Sequence, residues 1–99
     1  MHMHLEIVTP DKSLFKGEVD YVYCPGAHGS FGILNNHAPI IATLKRGYLK
    51  VRIAEKDAMR FDNEVGKLVH DNEVGAEVRF DIEGGVVEVL NNKVTVLAE

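Results

Sequence analysis

The sequence is poor in the residues that announce a chemistry. Its 99 residues include one cysteine, which excludes an internal disulfide and any CxxC metal or redox motif. Cations are in the minority, 11 Lys and Arg against 15 Asp and Glu, for a net −4 with the five histidines neutral. A nucleic-acid clamp needs a basic face to displace counterions from phosphate, so that class is excluded. No apolar run approaches the ~20 residues of a membrane-crossing helix, and no charged-then-apolar leader opens the chain. Nor does any segment sustain apolar residues at the three-and-four spacing of a long helix. What is left is one small acidic domain spanning residues 1–99, expected to be soluble and to come from a reducing compartment. A chain of this size buries only about two-thirds of the surface its unfolded form exposes, so the domain is expected to be compact but not very stable.

What is present is strand. Short apolar, β-branched stretches are broken every few residues by Gly, Asn or Pro, the spacing of an all-β sandwich or barrel. Leu5–Val8 forms a first strand, stopped by Thr9-Pro10-Asp11. Glu18–Cys24 alternates, with Val19, Tyr21 and Tyr23 on one face and Glu18, Asp20, Val22 and Cys24 on the other. Pro25-Gly26 forces a turn. Ser30–Leu34 and Ile40–Leu44 flank Asn35-Asn36-His37-Ala38-Pro39, and Tyr48–Ile53 alternates a wet face with a buried one. Val86–Leu90 and Lys93–Leu97 are joined by Asn91-Asn92. Asparagine tolerates positive φ, which suits a two-residue hairpin turn.

An internal repeat interrupts this pattern. Arg60-Phe61-Asp62 returns as Arg79-Phe80-Asp81, 19 positions later, and Asp62-Asn63-Glu64-Val65-Gly66 recurs verbatim as Asp71-Asn72-Glu73-Val74-Gly75. A solenoid would have longer periods and fill the chain, so the echoes point to a local duplication: an inserted hairpin covering residues 60–78.

The candidate reactive groups do not assemble into a motif. His2 and His4 share a strand face and could share a metal, but no third ligand lies nearby in sequence. Cys24 has no flanking base and is better explained as a small buried hydrophobe. The pairs Asp62/Glu64, Asp71/Glu73 and Asp81/Glu83 sit beside turns, where charge discourages edge-to-edge association. Gly26-Ala27-His28-Gly29 lacks the following helix that would let a glycine loop hold phosphate. The expectation is therefore no catalytic residue, no metal and no cofactor. Pro25–Pro39 holds three of the nine glycines, two of the three prolines, two histidines and Phe31. Such a loop serves either recognition or a crossing between sheets, and the residues leave both readings open.

Several words in order give the chain a family. Leu5-Glu6-Ile7-Val8-Thr9-Pro10, Leu14-Phe15-Lys16-Gly17-Glu18-Val19, Pro25-Gly26 and Gly29-Ser30-Phe31-Gly32-Ile33-Leu34 resemble the amino-terminal domain of the epsilon subunit of F-type ATP synthase. So do Asn36-His37-Ala38-Pro39, Gly84-Gly85-Val86-Val87-Glu88-Val89 and the closing Lys93–Glu99. Removing residues 60–78 joins Met59 to Arg79 and restores the family's usual spacing.

The resemblance implies a two-sheet β-sandwich of about ten short strands. It implies a non-catalytic subunit of the central stalk of a proton- or sodium-translocating synthase, coupling the membrane c-ring to the gamma subunit as part of a rotor during ATP synthesis. Its place would be peripheral, on the cytoplasmic side of the bacterial inner membrane, touching the membrane only through the c-ring. Position by position, His28, Ser30 and Phe31 correspond to a c-ring-facing loop, and Thr9, His37 and Ala42 to the gamma-facing side. His28 and Ser30 replace the loop's usual acidic residue, and Asn35-Asn36 replaces a common Pro-Gly. Longer members continue past this point into a helical hairpin that binds ATP or brakes hydrolysis. Ending at Glu99, the chain is expected to lack that hairpin, the ATP site and the brake. Two other classes remain to be distinguished: a free-standing β-sandwich protein-binding module, since fold does not fix function, and a metal-dependent hydrolase built from scattered histidines and Cys24.

Overall fold

The computed structural model describes residues 2–70 and 73–99, which contain ten strands and no helix. In chain order these are β1 (Met3–Val8), β2 (Ser13–Cys24), β3 (Phe31–Leu34), β4 (Ile40–Leu44), β5 (Gly47–Ile53), β6 (Met59–Asp62), β7 (Lys67–His70), β8 (Glu77–Ile82), β9 (Gly85–Leu90) and β10 (Lys93–Ala98). Hydrogen bonds link them in the order β4-β9-β10-β1-β2-β5-β8, with β3 and β6 also on β2, and β7 on β6. β1 runs parallel to β10, and the other strand pairings are antiparallel.

The long strand β2 belongs to two layers. Its first half carries β1 on one edge and β6 on the other, while its second half carries β3 and β5. The sheet folds over along this strand into a two-layer sandwich, and the shortest dimension of the molecule, 18 Å, suits two sheets about 10 Å apart. One continuous core fills the gap. Met3, Leu5 and Ile7 of β1, Phe15 and Val19 of β2, Leu49, Val51 and Ile53 of β5, and Val94 and Val96 of β10 are all sealed from solvent. Among the described residues no polar or charged side chain is buried. Gly17 is required by a close approach: a Cβ there would lie 2.7 Å from the Ala58 Cα, where the chain before β6 crosses β2.

The strand alternation read from sequence needs one correction. Val19 points into the core, but so do Val22 and Cys24, whereas Tyr21 and Tyr23 turn outward. The pairing of β2 with β5 slips between Val19 and Tyr21. A bulge adds one residue and moves every later side chain to the opposite face. The bulge lies where β2 passes from one layer to the other.

The turns follow their residues. Asn91 and Asn92 both have positive φ, 51° and 60°, the geometry of a two-residue hairpin turn that matches strand twist. β6 and β7 form a hairpin in which the Asp62 carboxylate accepts hydrogen bonds from the Glu64 and Val65 amides at 2.8 and 3.2 Å. Gly66 closes that turn at φ 79°. In the second copy of the word, Asp71 and Asn72 lie outside the described residues, and Gly75 again has a positive φ, 88°. The two Arg-Phe-Asp words lie on different strands, β6 and β8.

Candidate interaction surface

The outer face of the layer β4-β9-β10-β1 carries four of the seven exposed large apolar side chains among the described residues. Residues that alternate with the core point outward there, and many are apolar. Ile41 is 74% exposed, Leu97 56%, Leu90 49% and Val86 39%. Register joins them. Val86 lies opposite Leu97, which lies opposite Val8, and Ile41 lies opposite Glu88, hence diagonal to both Val86 and Leu90. Diagonal and direct neighbours on one sheet face are within side-chain reach. The result is an oblique apolar stripe, Leu90–Ile41–Val86–Leu97–Val8, edged by Thr43, Glu88 and Thr95. A contiguous apolar patch on a small domain marks a surface meant to be covered.

The stripe relates three residues that it does not bring into contact. His37 precedes β4 at one end of the layer, and Thr9 follows β1 at the other. The stripe runs from beside one to beside the other. Ala42 lies under it, turned inward against the core, with Ile41 and Thr43 as its outward neighbours on β4. The His37 Nδ1 lies 2.8 Å from the Ala38 carbonyl oxygen. Its loop is fastened to the β9–β10 turn: the Asn36 amide donates to the Asn92 Oδ1 at 2.7 Å, and the Asn92 Nδ2 donates to the Asn35 Oδ1 at 2.8 Å. The Asn35-Asn36 pair thus works as one half of a clasp, with Asn36 at φ 65°.

His28, Ser30 and Phe31 form a separate group at the Thr9 end, beyond β2. Their loop has a fixed backbone. The Ala27 amide donates to the Thr43 carbonyl and the Lys45 amide to the Pro25 carbonyl, both at 2.9 Å, stitching the loop to the end of β4. The Phe31 ring packs over Gly26, where an added Cβ would come within 2.8 Å of a ring carbon. His28 and Ser30 stand exposed on this rigid base, and Phe31 is half-buried.

The other reactive groups are separated. The His2 Nε2 lies 3.3 Å from Glu55, and the His4 Nδ1 lies 2.7 Å from Glu18, so the two histidines take different carboxylates. Among the described residues no three His, Cys, Asp or Glu side chains converge as metal ligands do. Cys24 is fully buried, and burial pushes its thiol up to about 12. It is a packing residue, far from the thiolate a nucleophile requires.

The stripe itself was missed in the sequence, yet it leaves a signal there. Ile40-Ile41, Val86-Val87, Val89-Leu90 and Val96-Leu97 are apolar doublets inside strands. A strand with one solvated face alternates, whereas a strand apolar on both faces is one covered on both.

The family model for the ATP synthase delta/epsilon chain, beta-sandwich domain, matches residues 2–62. An ATP synthase epsilon chain of Leptospira borgpetersenii is 36% identical over 97 residues, covering 98% of this chain and 61% of its own length. One from Caulobacter vibrioides is 38% identical over 97 residues, covering 98% of this chain and 90% of its own. The chain therefore spans about three-fifths of the Leptospira relative and most of the Caulobacter one. Among solved structures, the fold is similar to a chain of the Euglena gracilis mitochondrial ATP synthase, TM-score 0.73 at 18% identity, over 98% of this chain and 50% of that one. It is also similar to a chain of the Tetrahymena thermophila mitochondrial ATP synthase central stalk and c-ring, TM-score 0.66 at 22% identity, over 99% and 63%. Sandwich, strand order and sequence agree: the chain belongs to the ATP synthase delta/epsilon chain β-sandwich family.

Proposed function

We propose that this chain is a non-catalytic rotor subunit of the central stalk of an F-type ATP synthase, holding the gamma subunit against the membrane c-ring. The observation that carries this reading is the apolar stripe through Ile41, Val86 and Leu97, displayed on a sheet whose other face is already committed to the core. Its two ends lie beside Thr9 and His37, the positions assigned to the gamma side, and Ala42 supports it from beneath. In this reading gamma covers the stripe, and Ala42 acts through the posture of β4 rather than by touching the partner. The stitched loop bearing His28, Ser30 and Phe31 faces the polar loops of the c-ring. Contact through rigid hydrogen-bonded backbone suits a joint that must transmit torque without bending.

The complex would be membrane-associated, with this subunit on the cytoplasmic side of the bacterial inner membrane and no lipid contact of its own. Residues 60–78 are, in the same proposal, an addition to the family's sandwich that leaves the stripe and the loop untouched. The test is co-elution of tagged protein with gamma and the c-ring from detergent-solubilised membranes, together with proton-driven ATP synthesis in membranes lacking the subunit. Co-elution and loss of coupled synthesis are expected. Undiminished synthesis in the deletion strain would overturn the proposal.

A further inference from the structure

The apolar stripe carries one charge that its own chain leaves unsatisfied. Glu88 lies opposite Ile41 and, along β9, between Leu90 and Val86, with its side chain exposed. Two further carboxylates on this face, Glu18 and Glu6, lie 2.7 and 4.0 Å from His4. Glu88 has no hydrogen-bond or ion-pair partner among the described residues. Lys93 is its diagonal neighbour, since Lys93 lies opposite Leu90 and Thr95 opposite Glu88, yet no ion pair joins the two.

Beside Glu88 opens a groove of about 350 Å³ whose walls include Pro39, Ile41 and Leu90. Its lining is apolar but for that one carboxylate. An aliphatic side chain placed there would cover the walls and strip water from Glu88 without replacing it, which is costly for a carboxylate. A compact cation would pair with Glu88 and leave the walls wet. A lysine or arginine side chain answers both demands, with an apolar stem and a charged head.

We propose that this groove receives one lysine or arginine side chain of the gamma subunit, its stem against Pro39, Ile41 and Leu90 and its head on the Glu88 carboxylate. The inference rests on the reading that gamma covers the stripe, and it supplies what that reading leaves open, the register in which the two surfaces meet. Aliphatic contact is non-directional, so the stripe alone would accept a partner shifted along it. A shifted partner would bury Glu88 against apolar surface, whereas one position gives it a cation. The groove therefore acts in specificity, and the rest of the stripe supplies area.

The test is retention of gamma from detergent-solubilised membranes by the tagged whole chain, at low and high salt. Glu88→Gln keeps the size and removes the charge. It should weaken retention about tenfold and abolish most of the salt dependence, with the urea unfolding midpoint unchanged. Glu88→Arg sets a like charge against the incoming one and should weaken retention further, by about 30-fold or more. Lys93→Gln removes the nearest cation of the chain itself and should leave retention unchanged or raise it. The control is Leu97→Asp, in the stripe but outside the groove, which should release gamma. If Leu97→Asp releases gamma while Glu88→Gln has no effect, the groove proposal falls and the gamma reading stands; an apolar side chain or water then fills the groove. Equal losses with Lys93→Gln and Glu88→Gln would also overturn the proposal, because Glu88 would then be paired within its own chain. Full retention by Leu97→Asp would instead remove the gamma reading, and the groove proposal with it.

Discussion

The two layers of the sandwich present opposite kinds of outer face. On the layer β3-β2-β5-β8 the large side chains satisfy one another. Tyr23 stacks on Tyr48 at 5.3 Å, the Arg79 guanidinium lies 4.0 Å over Tyr48, and Arg52 lies 5.4 Å over Tyr21 while pairing with Asp20 at 3.3 Å and Glu77 at 3.6 Å. Leu34 on β3 is the apolar exception, 59% exposed. On the layer β4-β9-β10-β1 the outward apolar residues have only one another, along a stripe that is open to water. Both faces cover the same core, so the contrast is not a matter of folding. A face stitched together by cation–π contacts and ion pairs can stand in water, and a stripe of aliphatic chains is better placed under a partner.

Mutations sharpen this contrast, from large effects to small. Phe15→Ala empties the core that both faces share and should cost about 3–5 kcal/mol in urea unfolding, disabling the two layers together. Ile41→Asp should leave unfolding stability within about 0.5 kcal/mol, as at other exposed sites, yet weaken retention of the gamma subunit proposed to cover the stripe by about 2 kcal/mol, roughly 30-fold. Lys50→Asp on the opposite face should leave retention unchanged. If both substitutions weaken capture equally, the stripe has no special role.

A third test uses Cys24, which lies under the second layer. Its thiol is pushed up to about 12 from 9.0 by burial, so above pH 9 the unfolded chain loses a proton that the folded chain keeps. The sign follows: stability falls as pH rises above 9 toward 12. Denaturation of the wild type against Cys24→Val isolates this slope, which should vanish in the variant. The smallest expected effect is Tyr48→Ala, which removes one stack and one cation–π contact and should cost about 0.5–1.5 kcal/mol, with partner retention intact.

Much of the fold was legible because its rules are local. The apolar stretch that follows Asn35-Asn36-His37-Ala38-Pro39 located β4 to the residue, Asn91-Asn92 announced its turn, and Pro25-Gly26 ended β2 where expected. The outward turn of Tyr21 was not legible, since the bulge before it arises from β2 serving two layers, a demand that no window of sequence contains. The same holds for sites. His28, Ser30 and Phe31 are neighbours in the chain and could be grouped from it. The stripe draws on β4, β9, β10 and β1, and the groove within it on Pro39, Ile41, Glu88 and Leu90, so both depend on pairings between distant segments. Ala42 illustrates the limit: the resemblance puts it on the gamma-facing side, whereas its side chain packs against the core.

One consequence follows from the parallel pairing of β1 with β10. His4 through Val8 lie against Lys93 through Leu97 in unbroken register, and the strands enter and leave this ladder in the same direction. A force drawing β1 backward and β10 forward therefore loads every rung at once, instead of peeling them one after another as it would in a hairpin. Tension along that axis loads the ladder in shear, so its rungs must yield together rather than in sequence.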